Sequence, residues 1–286
     1  MRPFTLLAAI LGTLLGWCPV LAHPAVSVVR DSRGNVYYSD ITRVWRLTPA
    51  GEHTAFVPQV HTHELAVDSA DRLLGEHLWY DSSRREPWVH YLWRATPDGR
   101  VEKLTADTPG FRRDHGFALD HLDRAHWVDR SPENGAAILR RERDGRMTPL
   151  ARSAALRNVR WLTCAPDGTV YLINDAHLVR VTADGRTQLL ARNLAETAAA
   201  DPSHMAMGLS ADDTGTVHVA VAELGVVKRV ASDGVVTVVA RSAAPWKPSG
   251  VLAARDGTLW ILEYEPGNAM RLRHVRPDGR ETIHGP

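Results

Sequence analysis

A short pattern recurs six times along the chain and leaves little freedom in what it can fold into. Each copy is an apolar strand, a turn holding Asp or Gly, a second strand, a variable loop, a third strand, a "PDG"-type turn and a fourth strand. The first copy reads VSVVRDSRGNVYYSDITRVWRLTPAGEHTAFV, and the fourth NVRWLTCAPDGTVYLINDAHLVRVTADGRTQLLA. The copies are spaced by roughly 37 to 52 residues, a period typical of four-stranded units. Their strands are rich in Val, Leu, Tyr and Trp at period two, and helical periodicity is weak throughout. A four-stranded sheet with apolar residues on both faces cannot bury them alone. Stacking six sheets around an axis covers the faces and leaves only short edges. The sequence therefore predicts an all-β chain, a six-bladed β-propeller of four-stranded antiparallel blades.

The repeats leave residues 1–22 unused. Arg2 followed by the apolar stretch Phe4 to Leu15, too short to span a bilayer, and the small-residue site VLAHP predict a signal peptide cleaved after Ala22. Residues 23–286 then form the propeller, and the protein is expected in the periplasm or outside the cell. The first copy starts next to the cleavage point and the last runs to the end of the sequence. Closure is therefore expected by face packing of the first and last blades, with a register shifted by one strand as the alternative.

Lys plus Arg number 34 against 33 for Asp plus Glu. This balance excludes a nucleic-acid or acidic-membrane partner held by bulk charge. No later segment is apolar enough for a membrane span. After cleavage only Cys164 remains, so no internal disulfide forms; in WLTCAPDG it reads as a small buried side chain.

The recurring pattern of an apolar-Ala-Val-Asp strand end, a Gly-x-apolar-Tyr strand start and a Pro-Asp-Gly turn, as in HELAVD, DGTVYL and TPDGRV, resembles the NHL-repeat propellers and the neighbouring SMP-30/gluconolactonase/LRE-like propellers, over essentially the whole mature chain. The resemblance implies the fold. That superfamily holds lactonases, hydrolases, lyases and plain binding scaffolds, so it implies no single chemistry. It also implies that the loops leading into the first strand, and those joining the second to the third, share the face where related sites lie.

Aligned on the repeat, the leading positions are Val26, His63, His115, Arg160, Met207 and Ser249, with Glu64, Asp114, Asn158, His204 and Lys247 beside them. The ends of the second strands are Asp40, His77, Asp129, Asn174, Val221 and Glu263, with Glu76 adjacent to His77. Histidines and carboxylates gathered at one mouth suit a divalent metal, a metal-free acid–base cluster, or a structural hydrogen-bond network. The related amidating lyases place metal-binding histidines at strand beginnings such as PHGL. THEL and DHGF resemble that pattern at His63 and His115, while His204 in PSHMAMGL sits earlier in its copy. A metal held by His63, His115 and His204 would be zinc or another transition ion; the SMP-30 resemblance implies a calcium-type ion instead, with Glu64, Asn158, Asn174 and Asp175 the nearest candidates. Glu64 or Glu76 would act as general base or as a further ligand, with Asp129 and Arg160 orienting substrate or stabilising charge.

The segment Gly75 to Trp93 is the longest expected top-face insertion and concentrates Trp79, Trp88 and Trp93 with His77. With Arg113 it is expected to contact a flat or carboxylated ligand. Two functions stay open. One is an exported metal-dependent hydrolase or lyase acting on a small lactone- or ester-like substrate. The other is a non-enzymatic propeller binding a peptide, glycan or protein through the aromatic loop. No Gly-x-Ser-x-Gly elbow is present, which argues against a serine hydrolase.

Overall fold

In a computed structural model, residues 24–110, 117–131, 135–196 and 204–285 are described. They form six antiparallel sheets, each built from consecutive strands in the order first, second, third, fourth. Blade 1 runs from Val28–Arg30 to His53–Pro58, and blade 6 from Lys247–Ala253 to Glu281–His284. The described residues include no α-helix, and no helix long and apolar enough to cross a membrane. The six-bladed propeller read from the repeat is the fold. The expected signal peptide, 1–22, lies outside the described residues.

The alternation in the strands buries both faces of each sheet. Val170–Asn174, the second strand of blade 4, is buried at every position because blades 3 and 5 cover its two faces. Each fully buried Leu, Ile or Val there contributes about 1.5–3 kcal/mol. The turns follow the same economy. Gly34 takes the left-handed position of its turn at φ 86°, while Asp71 and Asp123 take the corresponding position in blades 2 and 3 at φ 58°. These aspartates accept the strain because their carboxylates catch the preceding blade. Asp71 accepts Ser32 N–H at 2.8 Å, and Asp123 accepts Ser69 N–H at 2.8 Å, so the bottom turns of blades 1 to 3 are tied in series.

The ring closes as expected, by packing of faces. Ala25, Val28, Val36, Tyr38 and Leu47 of the first blade meet Leu262, Met270 and Leu272 of the last, and among the described residues no strand is exchanged. At the upper mouth Val26 occupies the axis. Its N–H donates to His63 O at 2.9 Å in blade 2, and its side chain packs with Trp161 and Met207. A Cβ on Gly208 or Gly250 would overlap the Val26 carbonyl, so both positions need glycine to let the backbones approach. The leading positions are therefore not a uniformly polar ring. Below Val26 the six inner strands enclose an axial cavity of about 260 Å³.

Candidate functional site

With the axis plugged, polar chemistry moves outward to blade 2. Two long strands shape that sector. Leu73–Tyr80 pairs with Trp88–Ala95 over eight residues each, and Thr108–Pro109 adds a fifth strand against the latter. The aromatic stretch expected as a loop is thus an extended hairpin, and only residues 81–87 turn the chain.

Period two then decides which aromatics face which way. His77 stacks on Trp79 at 5.3 Å between ring centroids, and Tyr91 closes on both. Tyr80 and Trp88 make an edge-on pair farther out, with Tyr80 60 % exposed. Trp93 corrects an expectation. It is fully buried (0 % exposed), lies across Gly75 of the neighbouring strand, and donates its indole N–H to Glu76 O at 2.9 Å. With no surface open to solvent, it is a core residue that fixes the backbone beneath the site.

That backbone carries a dyad. His61 and His63 are separated by one residue in an extended segment, so their rings fall on one side. Their Nε2 atoms stand 3.1 Å apart. His63 is 6 % exposed, and its Nδ1 lies 3.4 Å from Oε1 of Glu76, itself 8 % exposed. The same Oε1 accepts the His63 backbone N–H at 2.8 Å, so Glu76 holds both ends of that residue. Thr62 Oγ1 donates to Glu76 O at 2.5 Å, and the His61 backbone N–H donates to His77 Nδ1 at 3.0 Å. Burial, with the neighbouring His63 ring, holds the His61 imidazole down to about 4, so it is neutral at pH 7. His77 is lowered by burial in the same direction.

Glu64, buried at 7 %, accepts the Phe117 N–H at 3.1 Å and so joins blade 2 to the inner strand of blade 3. Arg160 lies in Val159–Cys164, at a bulge that breaks the register between Val159 and Leu162. Asp129 is placed differently from its expected role. It is half exposed and sits 3.8 Å from Arg152 Nη2, in the cross-strand row Asp129–Ala137–Arg152 of its own blade. His204 lies just ahead of the buried run Met205–Met207 that leads into blade 5. His115 and Arg113 lie outside the described residues.

Among the described residues no group of three or more His, Cys, Asp or Glu is arranged to hold a metal. The donor set still discriminates between ions. Calcium asks for six to eight oxygens, whereas Glu64 and Glu76 each already serve a backbone N–H. Two imidazole nitrogens at 3.1 Å, one backed by a carboxylate, fit part of a zinc-type site. His61, absent from the sequence-derived set, is the member that reading missed. The alternation in HTH was the signal that could have found it.

No family model matches the chain, and no curated protein does. Solved structures do. Virginiamycin B lyase from Staphylococcus aureus is 12 % identical, with a TM-score of 0.57, covering 92 % of this chain and 84 % of that one. A protein assigned to the gluconolactonases is 15 % identical, with a TM-score of 0.60 and coverage of 92 % and 90 %. The calcium-binding protein regucalcin from Agrobacterium tumefaciens is 16 % identical, with a TM-score of 0.55 and coverage of 84 % and 83 %. At these identities the likeness is one of fold, and at that level it agrees with the resemblance read from the repeats.

Proposed function

We propose that the chain is a hydrolase or lyase acting on small ester- or lactone-type substrates at the blade 2 sector of the upper face, with His61, His63 and Glu76 as its proton-handling centre. The observation that carries this reading is the 3.1 Å approach of the two Nε2 atoms, with a buried carboxylate behind one ring. The tautomer that suits both contacts puts a proton on His63 Nδ1 facing Glu76 and a second on His61 Nε2. His61 then takes a proton from substrate or water on Nδ1 while its Nε2 proton passes to His63. The charge rests on His63, where Glu76 stabilises the imidazolium. Burial disfavours charge on His61 itself, so the relay keeps that ring neutral.

A zinc-type ion would be held by His61 and His63, and when bound it would polarise a substrate carbonyl or acidify a bound water. One neighbour in fold is named a lyase, and its histidine-to-alanine variant, solved with quinupristin, is catalytically inactive, which supports an enzymatic reading in general. Its low identity leaves the argument resting on the dyad.

Turnover of a panel of aryl esters and lactones tests the proposal, measured before and after chelation and zinc return. Wild type should turn over at least one class. His61→Ala and His63→Ala should each lower kcat/KM by about 10²-fold or more, and Glu76→Gln should follow His63→Ala. No turnover by wild type, or full activity in both histidine variants, removes the proposal. The exposed Tyr80–Trp88 pair favours one second reading, a scaffold that binds a peptide or glycan. That reading gains if wild type is inert and Trp88→Ala weakens capture of such a ligand.

A further inference from the structure

On the opposite face, where the first inner strand ends rather than begins, the seam between blades 6 and 1 opens into a cavity of about 430 Å³. Its walls come from both blades. Arg30 and Arg33 reach it from blade 1, and Trp260, His274, Arg276 and His284 from blade 6. We propose that this cavity is a binding site for a compact organic anion carrying two or more negative charges, as carboxylates or phosphate.

The charge arrangement points to such a ligand. Three arginines line one cavity, and among the described residues Asp256 is its only acidic side chain. Asp256 is already engaged in its own turn, accepting Thr258 N–H at 3.0 Å. Among the described residues neither Arg30 nor Arg276 makes an ion pair, and Arg33 reaches Asp71 only at 3.9 Å with its side chain largely in solvent. Arginines brought to one cavity from both sides of the seam repel each other, and a polyanion between them relieves that repulsion through bidentate, charge-assisted hydrogen bonds. The floor supplies a flat surface. His274 lies on Trp260 at 3.9 Å with the rings 5° from parallel, and His284 is 6.0 Å from the same indole. His284 Nε2 is buried and has no hydrogen-bond partner, so a ligand oxygen would satisfy it. The volume suits a ligand of metabolite size.

The position adds a consequence. Among the described residues blades 1 and 6 share no strand, and packed faces hold their junction. An anion gripped by Arg30 and Arg33 on one side and Arg276 on the other bridges that junction, and binding only the closed ring raises the melting temperature.

Citrate and glucose 6-phosphate serve as probes, at matched low ionic strength because screening weakens such contacts. Calorimetric titration and thermal melting are run on wild type, on the exposed-residue double variant Arg30→Gln/Arg276→Gln, and on Arg186→Gln in blade 4 as a control. Wild type and the control should bind at least one probe and melt higher with it; which probe is preferred identifies carboxylate or phosphate as the recognised group. The double variant should bind that probe about tenfold more weakly for each arginine removed. No binding of either probe at millimolar concentration overturns the proposal. So does equal stabilisation of wild type and double variant, which would mark general exclusion of the anion from protein surface. The outcome is independent of the histidine dyad, which lies at the other face.

Discussion

Replacing Trp93 separates its place in the core from a role in ligand contact. Its indole is fully buried, and truncation to alanine removes the whole ring from between the second and third strands of blade 2. Such a change costs about 3–5 kcal/mol. Loss of the 2.9 Å donation to Glu76 O adds little, because Thr62 Oγ1 still serves that carbonyl at 2.5 Å. For a chain of this size each kcal/mol lowers the melting point by about 2–4 °C, so Trp93→Ala should melt about 6–20 °C lower. Trp88→Ala, half-buried at the outer end of the same strand, should stay within about 1 kcal/mol of wild type. The reciprocal substitution is Gly75→Ala. Its Cβ would overlap Trp93 Cζ2 and lie 2.7 Å from Cε2, an overpacking cost of about 1–3 kcal/mol. Combined with Trp93→Leu the added methyl gains room, so the double variant should be more stable than the sum of the singles by at least about 1 kcal/mol. Urea midpoints followed by circular dichroism and near-ultraviolet signal measure all five variants, the Trp93→Leu single included. Strict additivity, or a Trp93→Ala protein as stable as wild type, would refute the packing.

Glu263, 0 % exposed, accepts Arg273 Nε at 2.9 Å, Arg271 Nε at 2.7 Å and Ser242 Oγ at 2.6 Å, so Glu263→Ala should destabilise by about 1–3 kcal/mol by leaving the Nε of the buried Arg273 without its acceptor, while Glu281 still accepts Nη1 at 2.8 Å; a urea midpoint unchanged from wild type would contradict this. The imidazoles of His61, His126 and His218 are all held below their ordinary range, chiefly by burial. A base whose folded value is depressed leaves the unfolded chain binding more protons, so stability is full above about pH 6.5 and declines as pH falls toward the folded values. Urea midpoints should therefore be lower at pH 5 than at pH 7.5, and an equal or higher midpoint at pH 5 would reverse the sign.

The fold was legible because one physical constraint is written six times: turns that demand left-handed residues, spaced by strands that bury both faces. Even the exceptions were readable after the fact, since Asp71 and Asp123 stand where other copies have glycine and use their carboxylates on the preceding blade. The site was legible only in part. Repeat alignment brought His63 to Glu76, because position in a blade fixes height on the face. It could not foresee that Val26 would fill the axis, since that depends on how the segment before the first strand crosses the mouth. Trp93 was misjudged because an aromatic-rich run does not say which alternate face is covered; Gly75 opposite it was the clue, visible only once register is known. Asp129 likewise found Arg152 through a three-strand row that no linear spacing reveals.

The meeting of His61 and His63 above Glu76 is tested most directly by following the histidine ring nitrogens of wild type, His63→Ala and Glu76→Gln by NMR as pH is lowered. The His61 ring should remain neutral at pH 5.5 in wild type, and its nitrogen shifts should move when either partner is replaced. A His61 ring that takes up its proton near pH 6.5 and ignores both substitutions would mean that the two imidazoles do not meet.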